Sequence, residues 1–245
     1  MQIHQPFQSK QPRLEENVKQ SLSDYLQILT PQAKRGRKKK KPRVRNLPDW
    51  VKIERIQAIV DNWDGKLLAK YFFIMSYLLG SRVSETISIR RGDCEVITKD
   101  GVEFLDITVK TEKTAEGKKD WRTVPIPLNG IEHSMVMQVL DFMKLFTSPE
   151  KLFNVSRFTA YRWMKKVDFG AMFLKTPKNE RIRVQSWYGY PHYLRHVRAS
   201  HLARYYDFKE REQMLYFGWS SPSMPARYSH VEHDDLILAY KKKGG

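Results

Sequence analysis

The 245-residue chain carries 44 lysines and arginines against 27 aspartates and glutamates, a net charge of +17. Such an excess points to a polyanionic partner, while apolar residues at 41% and aromatic residues at 12% suffice for a core. The single cysteine, Cys94, excludes a disulfide scaffold or a zinc cluster built on several thiolates. The polar start MQIHQPFQSKQPR cannot act as a secretory signal, and the most apolar stretch, Leu67 to Leu79, is too short to span a bilayer and contains Lys70. A soluble, cytoplasmic, basic protein is expected, associated with the nucleoid, or with the nucleus if the host has one.

Residues 1–33 form a polar segment with one candidate helix at about 14–29, where Leu14, Val18, Leu22, Leu26 and Leu29 recur at helical spacing. Residues 34–45, KRGRKKKKPRVR, are a basic linker with nine positive charges and no acid. Self-repulsion keeps such a run extended, and Lys38, Lys39, Lys40, Lys41, Arg43 and Arg45 are candidates for salt-sensitive DNA-backbone contact. A solubilising linker is the plain alternative.

The compact region is expected over residues 46–232. Pro48 and Asp49 open a helix whose apolar face includes Val51, Ile56, Ile59 and Val60. Residues 66–79 are nearly all apolar and predict a central buried helix, ended by Gly80. A short helix over Ser81 to Ile89 follows. Val102–Val109 and Trp121–Pro127 read as strands of a long-looped hairpin, with Pro125 and Pro127 confining the second to an edge or terminus. Helical segments are expected near 132–147, 156–167, 192–206, 209–217 and 233–242, with residues 233–245 forming a C-terminal helix or tail that is a candidate subunit contact. The fold class is thus α+β, mainly helical, with one small antiparallel β-sheet.

The chemistry-bearing residues fall in three segments: Arg82-Val83-Ser84-Glu85 with Ile89 and Asp93; the hairpin with Lys110 and Lys113; and His192-Tyr193-Leu194-Arg195-His196, then Gly218-Trp219 and Tyr228-Ser229-His230. His192 and Arg195 share a helix face. Two arginines can hold non-bridging phosphate oxygens in bidentate fashion and stabilise charge at a pentacoordinate phosphorus. A tyrosine hydroxyl can attack the phosphorus and conserve the bond as a phosphotyrosine. A lysine can protonate the leaving sugar oxygen. This is a kit for phosphoryl transfer without a metal. His192 and His196 stand at a metal-pair spacing, but no glutamate lies between them and no cysteine cluster supports them. No glycine-rich phosphate loop is present, since Gly117-Lys118 lacks the rest of the motif, so neither cofactor nor ATP is expected.

These spacings closely resemble the tyrosine recombinase, or phage-type integrase, family. R-x-S-E followed by an aliphatic residue and an aspartate matches Arg82, Ser84, Glu85, Ile89 and Asp93. H-x-L-R-H matches His192, Leu194, Arg195 and His196. G-[HW] followed by Y-x-H matches Gly218, Trp219, Tyr228 and His230. The resemblance spans about 150 residues, Arg82 to His230, and implies the family's catalytic-domain fold and site-specific DNA cleavage and rejoining through a 3′-phosphotyrosyl link. It makes Tyr228 the nucleophile, Arg82 and Arg195 the phosphate clamp, and His192 the proton-transfer partner. Trp219, at the family's His or Trp position, can only donate a hydrogen bond. Lys110 is the preferred hairpin acid, with Lys113 the alternative; Glu85 supports the network. Cys94 stands where an aliphatic residue is usual and reads as buried and inert.

Lys118 and Lys119 in the hairpin loop are further candidates for DNA contact, and the implied partner is double-stranded DNA bound by a homo-oligomer, a tetramer on synapsed sites. The family's N-terminal core-binding domain does not fit within the first 45 residues; either another protein supplies it, or the basic segment and the 14–29 helix stand in for it. The rival readings are a type IB topoisomerase-like relaxing activity and a non-catalytic, accessory DNA-binding protein. The intact set Arg82, His192, Arg195 and Tyr228 argues against the latter.

Overall fold

The computed structural model describes residues 51–111, 120–175 and 181–227, all within one compact unit, Asn46–Gly245. Helix α1 (Ile53–Asp61) leads into α2 (Leu67–Leu79), α3 (Val83–Ser88) and a 3-10 turn (Arg91–Asp93). Strands β1 (Cys94–Lys99), β2 (Val102–Lys110) and β3 (Trp121–Pro127) follow, then α4 (His133–Met143), α5 (Arg157–Met164), the short strands β4 (Met172–Lys175) and β5 (Arg181–Val184), α6 (Pro191–Tyr205) and α7 (Glu210–Phe217). A 3-10 turn, Pro225–Arg227, ends the described chain. Among the described residues no helix is long and apolar enough to cross a membrane.

Helix α2 is the axis of the fold. Every residue from Phe72 to Leu79 is buried, as a helix apolar on all sides requires. It packs on α6, α4 and α5. Gly80 then adopts the left-handed conformation, φ 52°, ending the helix where a side chain would be strained. The chain turns there into α3, one residue beyond Arg82.

The sheet has the order β1-β2-β3, antiparallel throughout. β3 is an edge, as Pro125 and Pro127 require. Leu105, Ile107 and Val109 of β2 and Arg122, Val124 and Ile126 of β3 point into the core. In register, Val109 faces Arg122 and Lys110 faces Trp121. Strand β1 and the β4–β5 pair were not expected. Only Cys94 of β1 is buried, so this edge strand lacks the alternation that betrays a half-buried one. β4 and β5 are four residues each, too short for a periodic signal. The first helix also differs: it begins at Ile53, and Val51 is buried ahead of it. There the Val51 carbonyl accepts a hydrogen bond from His201 Nε2. Cys94 is 3% exposed; burial pushes its thiol up to about 12, which leaves it inert at neutral pH.

A polar network ties α2, α4, α6 and α7 together. Glu132, at the start of α4, accepts from Arg198 Nη1 and from the Tyr206 hydroxyl. Arg198 Nε donates to the Tyr216 hydroxyl at 3.0 Å, and that hydroxyl donates to the Leu78 carbonyl. The Tyr77 hydroxyl lies 2.9 Å from Glu132 Oε1 and 2.7 Å from His201 Nδ1, sharing its one proton between them. Glu132 and Arg198 are each 1% exposed, so removing either partner strands a charge in the core. Glu132→Gln is expected to cost about 3–5 kcal/mol, read as a lower urea midpoint with an unchanged m-value. That is a large part of the ~5–15 kcal/mol of a typical domain.

His201 links stability to pH. Burial, aided by the Arg198 charge and opposed by the Val51 hydrogen bond, lowers its pKa to about 4. The unfolded chain protonates it near 6.5. Between those values the unfolded state binds more protons, so the contribution is complete above about pH 6.5 and is lost as pH falls toward 4. Urea melts at descending pH should show a loss of about 3 kcal/mol across this window, and His201→Gln should flatten it.

Candidate functional site

The site is assembled where the end of α2, the start of α3, the start of α6 and the end of α7 meet. Arg82 is the extended residue that caps α3. Its backbone N–H donates to Glu85 Oε2 at 2.9 Å and its Nη1 to Glu85 Oε1 at 2.6 Å. One carboxylate thus closes the helix terminus and aims the guanidinium, the one-sided half of a capping box that a glutamate three residues into a helix supplies. Glu85 is 1% exposed while the Arg82 side chain is 35% exposed, so the carboxylate is hidden and the arginine is presented. Burial opposes ionisation of Glu85, but the Arg82 backbone N–H and the charges of Arg122, Arg195 and Arg82 outweigh it, and its pKa falls below the usual carboxylate value.

Arg195, on the first turns of α6, is 2% exposed. Its Nη1 donates to the Gly80 carbonyl at 2.7 Å and its Nη2 to the Phe217 carbonyl at 2.8 Å. These are the residues at the ends of α2 and α7, so the guanidinium is fixed by the two helix termini that frame the site. Phe217 and Trp219 stack at 4.4 Å and 22°, and the Arg195 guanidinium carbon lies 4.9 and 5.3 Å from their rings. Trp219 thus offers the face of its ring to Arg195. His192 is half-buried one turn before Arg195 on α6, its ring edge-on to His196 at 4.9 Å. Among the described residues no group of three or more His, Cys, Asp or Glu side chains gathers to hold a metal ion.

Lys110 ends β2 and is exposed. With Ser88, Arg90, Asp93, Thr108, Asp120 and Trp121 it lines an open cavity of about 540 Å³. Asp93 closes the turn above it by accepting from the Arg90 backbone N–H at 2.8 Å. Tyr228, Lys113, Lys118 and Lys119, the basic residues Lys38, Lys39, Lys40, Lys41, Arg43 and Arg45, and the helices expected at 14–29 and 233–242 lie outside the described residues. Trp187 packs against the core, Tyr206 bonds Glu132, Tyr205 accepts from the Ile53 backbone N–H at 3.4 Å, and Tyr188 is 58% exposed.

Sequence reasoning passed over Arg122. It is 6% exposed, in phase with Val124 and Ile126 on the inner face of β3. It donates to the Tyr216 carbonyl through Nη1 and to the Leu79 carbonyl through Nη2 at 3.3 Å, and lies 3.8 Å from Glu85 Oε2. Burial lowers its pKa, and the Glu85 charge opposes that shift. An arginine in register with inward apolar residues was the available signal.

Gly80 is the pivot of this geometry. A Cβ there would come within 2.3 Å of the Phe217 ring, at a φ of 52°. Gly80→Ala is expected to cost about 2–4 kcal/mol, from left-handed strain and overpacking. It should also shift both carbonyls that hold Arg195. A thermal melt reads the first effect.

No protein-family model matches the chain. The sequence is similar to a tyrosine recombinase of Thermosipho africanus (strain TCF52B), 27% identical over 207 residues, 83% of this chain and 65% of that protein. The fold is similar to the XerA recombinase (TM-score 0.52, 16% identity, 80% of this chain and 65% of that one). It is also similar to the XerH site-specific recombinase bound to a palindromic difH substrate in a post-cleavage complex (0.52, 16%, 82% and 54%). A lambda integrase tetramer bound to a Holliday junction gives 0.53 at 15% identity, over 90% of this chain and 59% of that one. The chain spans just under two thirds of the length of its Thermosipho relative. In motif order, in this sequence similarity and in the catalytic-domain fold, the chain resembles the tyrosine recombinase, or phage-type integrase, family.

Proposed function

We propose that the chain is a site-specific DNA recombinase or integrase that cleaves and rejoins strands through Tyr228. The observation that supports this best is the arginine pair: Arg82 presented by a buried carboxylate and Arg195 fixed by two helix-terminal carbonyls. Neither depends on the other for its position, so both are preorganised before DNA arrives, and preorganised charge is what a developing phosphorane needs. In the proposed step the Tyr228 hydroxyl oxygen bonds to phosphorus and its proton passes to His192. The bond from phosphorus to the 5′ oxygen breaks, and that oxygen takes a proton from the hairpin lysine, Lys110 or Lys113. The 3′-phosphotyrosyl link conserves the phosphodiester energy, so rejoining needs no nucleotide.

Residues 46–232 would carry this chemistry. The basic residues of 34–45 and Lys118 and Lys119 would bind phosphates without reading sequence. The partner is double-stranded DNA, held by several copies of the chain, because exchange requires more than one cleavage. The test is covalent trapping on nicked duplexes tiled across candidate attachment sites, in EDTA and without nucleotide. A protein band shifted by DNA under denaturing conditions is the expected result. Tight, salt-sensitive binding with no such band on any duplex would overturn the proposal.

A further inference from the structure

Two buried arginines share one scaffold in an interleaved way. Arg195 takes the carbonyls of Gly80 and Phe217. Arg122 takes those of Leu79 and Tyr216, the residue immediately before each. Both arginine positions are thereby referred to the same two helix ends. Arg122 comes, however, from the sheet and is given no contact with phosphate in the chemistry above; its carboxylate neighbour is Glu85 Oε2 at 3.8 Å. Its strand position pairs with Val109, one residue before Lys110, and the ladder continues outward where the Thr111 N–H donates to the Asp120 carbonyl at 2.6 Å. β3 is an edge strand, and its outer neighbours Trp121 and Thr123 are exposed. The Arg122 fork is thus a polar anchor from the loop end of this hairpin to the ends of α2 and α7. A planar fork reaching two carbonyls on different elements fixes both distance and angle, which a flexible ammonium cannot do. Gly218 lies against it, and a Cβ added there would sit only 3.4 Å from Arg122 Cδ, so the anchor is packed on the residue preceding Trp219.

We propose that Arg122 is a positioning residue for strand cleavage: it holds the loop end of the β2–β3 hairpin at a set distance from the arginine pair, so that the hairpin lysine reaches the leaving 5′ oxygen. This rests on the reading under Proposed function and adds to it a residue that touches no DNA.

The test compares two suicide duplexes, one with the ordinary 5′ oxygen and one with sulfur in its place at the scissile bond. A thiol ionises near pH 8.5, so a sulfur leaving group needs no proton from a lysine. Arg122→Lys keeps the buried charge but not the fork; Arg122→Gln is run beside it, with thermal melts of both. The expected result is a loss of about 100-fold in single-turnover cleavage of the oxygen duplex, with the sulfur duplex remaining within about tenfold of wild type. Combining Arg122→Lys with alanine at the hairpin lysine should add little further loss on oxygen, since both changes remove the same proton donation. Equal losses on the two duplexes, no loss on either, or failure of both variants to fold would each overturn the proposal. Wild-type protein that forms no adduct with either duplex would overturn the functional reading itself, a result seen without any variant.

Discussion

Tyr228→Phe is expected to abolish the covalent adduct while leaving DNA binding intact. The substitution removes one oxygen atom and no charge. The proposed affinity for duplex DNA would come from phosphate neutralisation by lysine and arginine, so both its strength and its dependence on salt should be those of the wild type. The proposed reaction, in contrast, loses its nucleophile. Where a covalent enzyme loses that group the rate falls by about 10⁶-fold, below detection in a gel assay. Gel retardation and denaturing electrophoresis on the same samples separate the two properties. An adduct that survives the substitution would mean another side chain attacks the phosphorus.

Arg195→Lys is the second large effect. The arginine is 2% exposed and bonds two carbonyls on separate helix ends. An ammonium reaches one of them and offers no fork to a phosphate. Loss of one preorganised donor at a charge-developing site costs about 10²–10³-fold in rate, and that loss is expected in single-turnover cleavage at saturating DNA. The carbonyl left without a donor should lower stability by about 1–3 kcal/mol, so the rates are compared well below the melting temperature of the variant. Cleavage within a few-fold of wild type would remove Arg195 from the phosphate clamp and leave it a role in the fold alone.

The features that were legible in the sequence are those set by a strong local rule. An apolar run ending at glycine marked α2 and its left-handed Gly80; two prolines marked β3 as an edge; motif spacing brought Arg82, Glu85, Arg195 and Trp219 into view, of which Arg82 bonds Glu85 and Arg195 lies over the Trp219 ring. What stayed hidden depends on partners far along the chain. Arg122 lies 43 residues from Leu79 and 94 from Tyr216, and only the packed sheet makes it part of the site. The Glu132–Arg198 pair is separated by 66 residues, and charged residues read alone predict exposure. Strand β1 escaped because its outward residues are wet and only Cys94 anchors it. Tertiary pairing decides such positions, and periodicity cannot report it.

The most direct test of the central claim is to locate the adduct. Wild-type protein trapped on a suicide duplex is digested with trypsin and nuclease, and the nucleotide-bearing peptide is sequenced by mass spectrometry. The account predicts a single modified peptide, beginning after Arg227, with a nucleotide joined through its 3′ phosphate to the Tyr228 oxygen. Attachment at another residue, or through a 5′ phosphate, would contradict it.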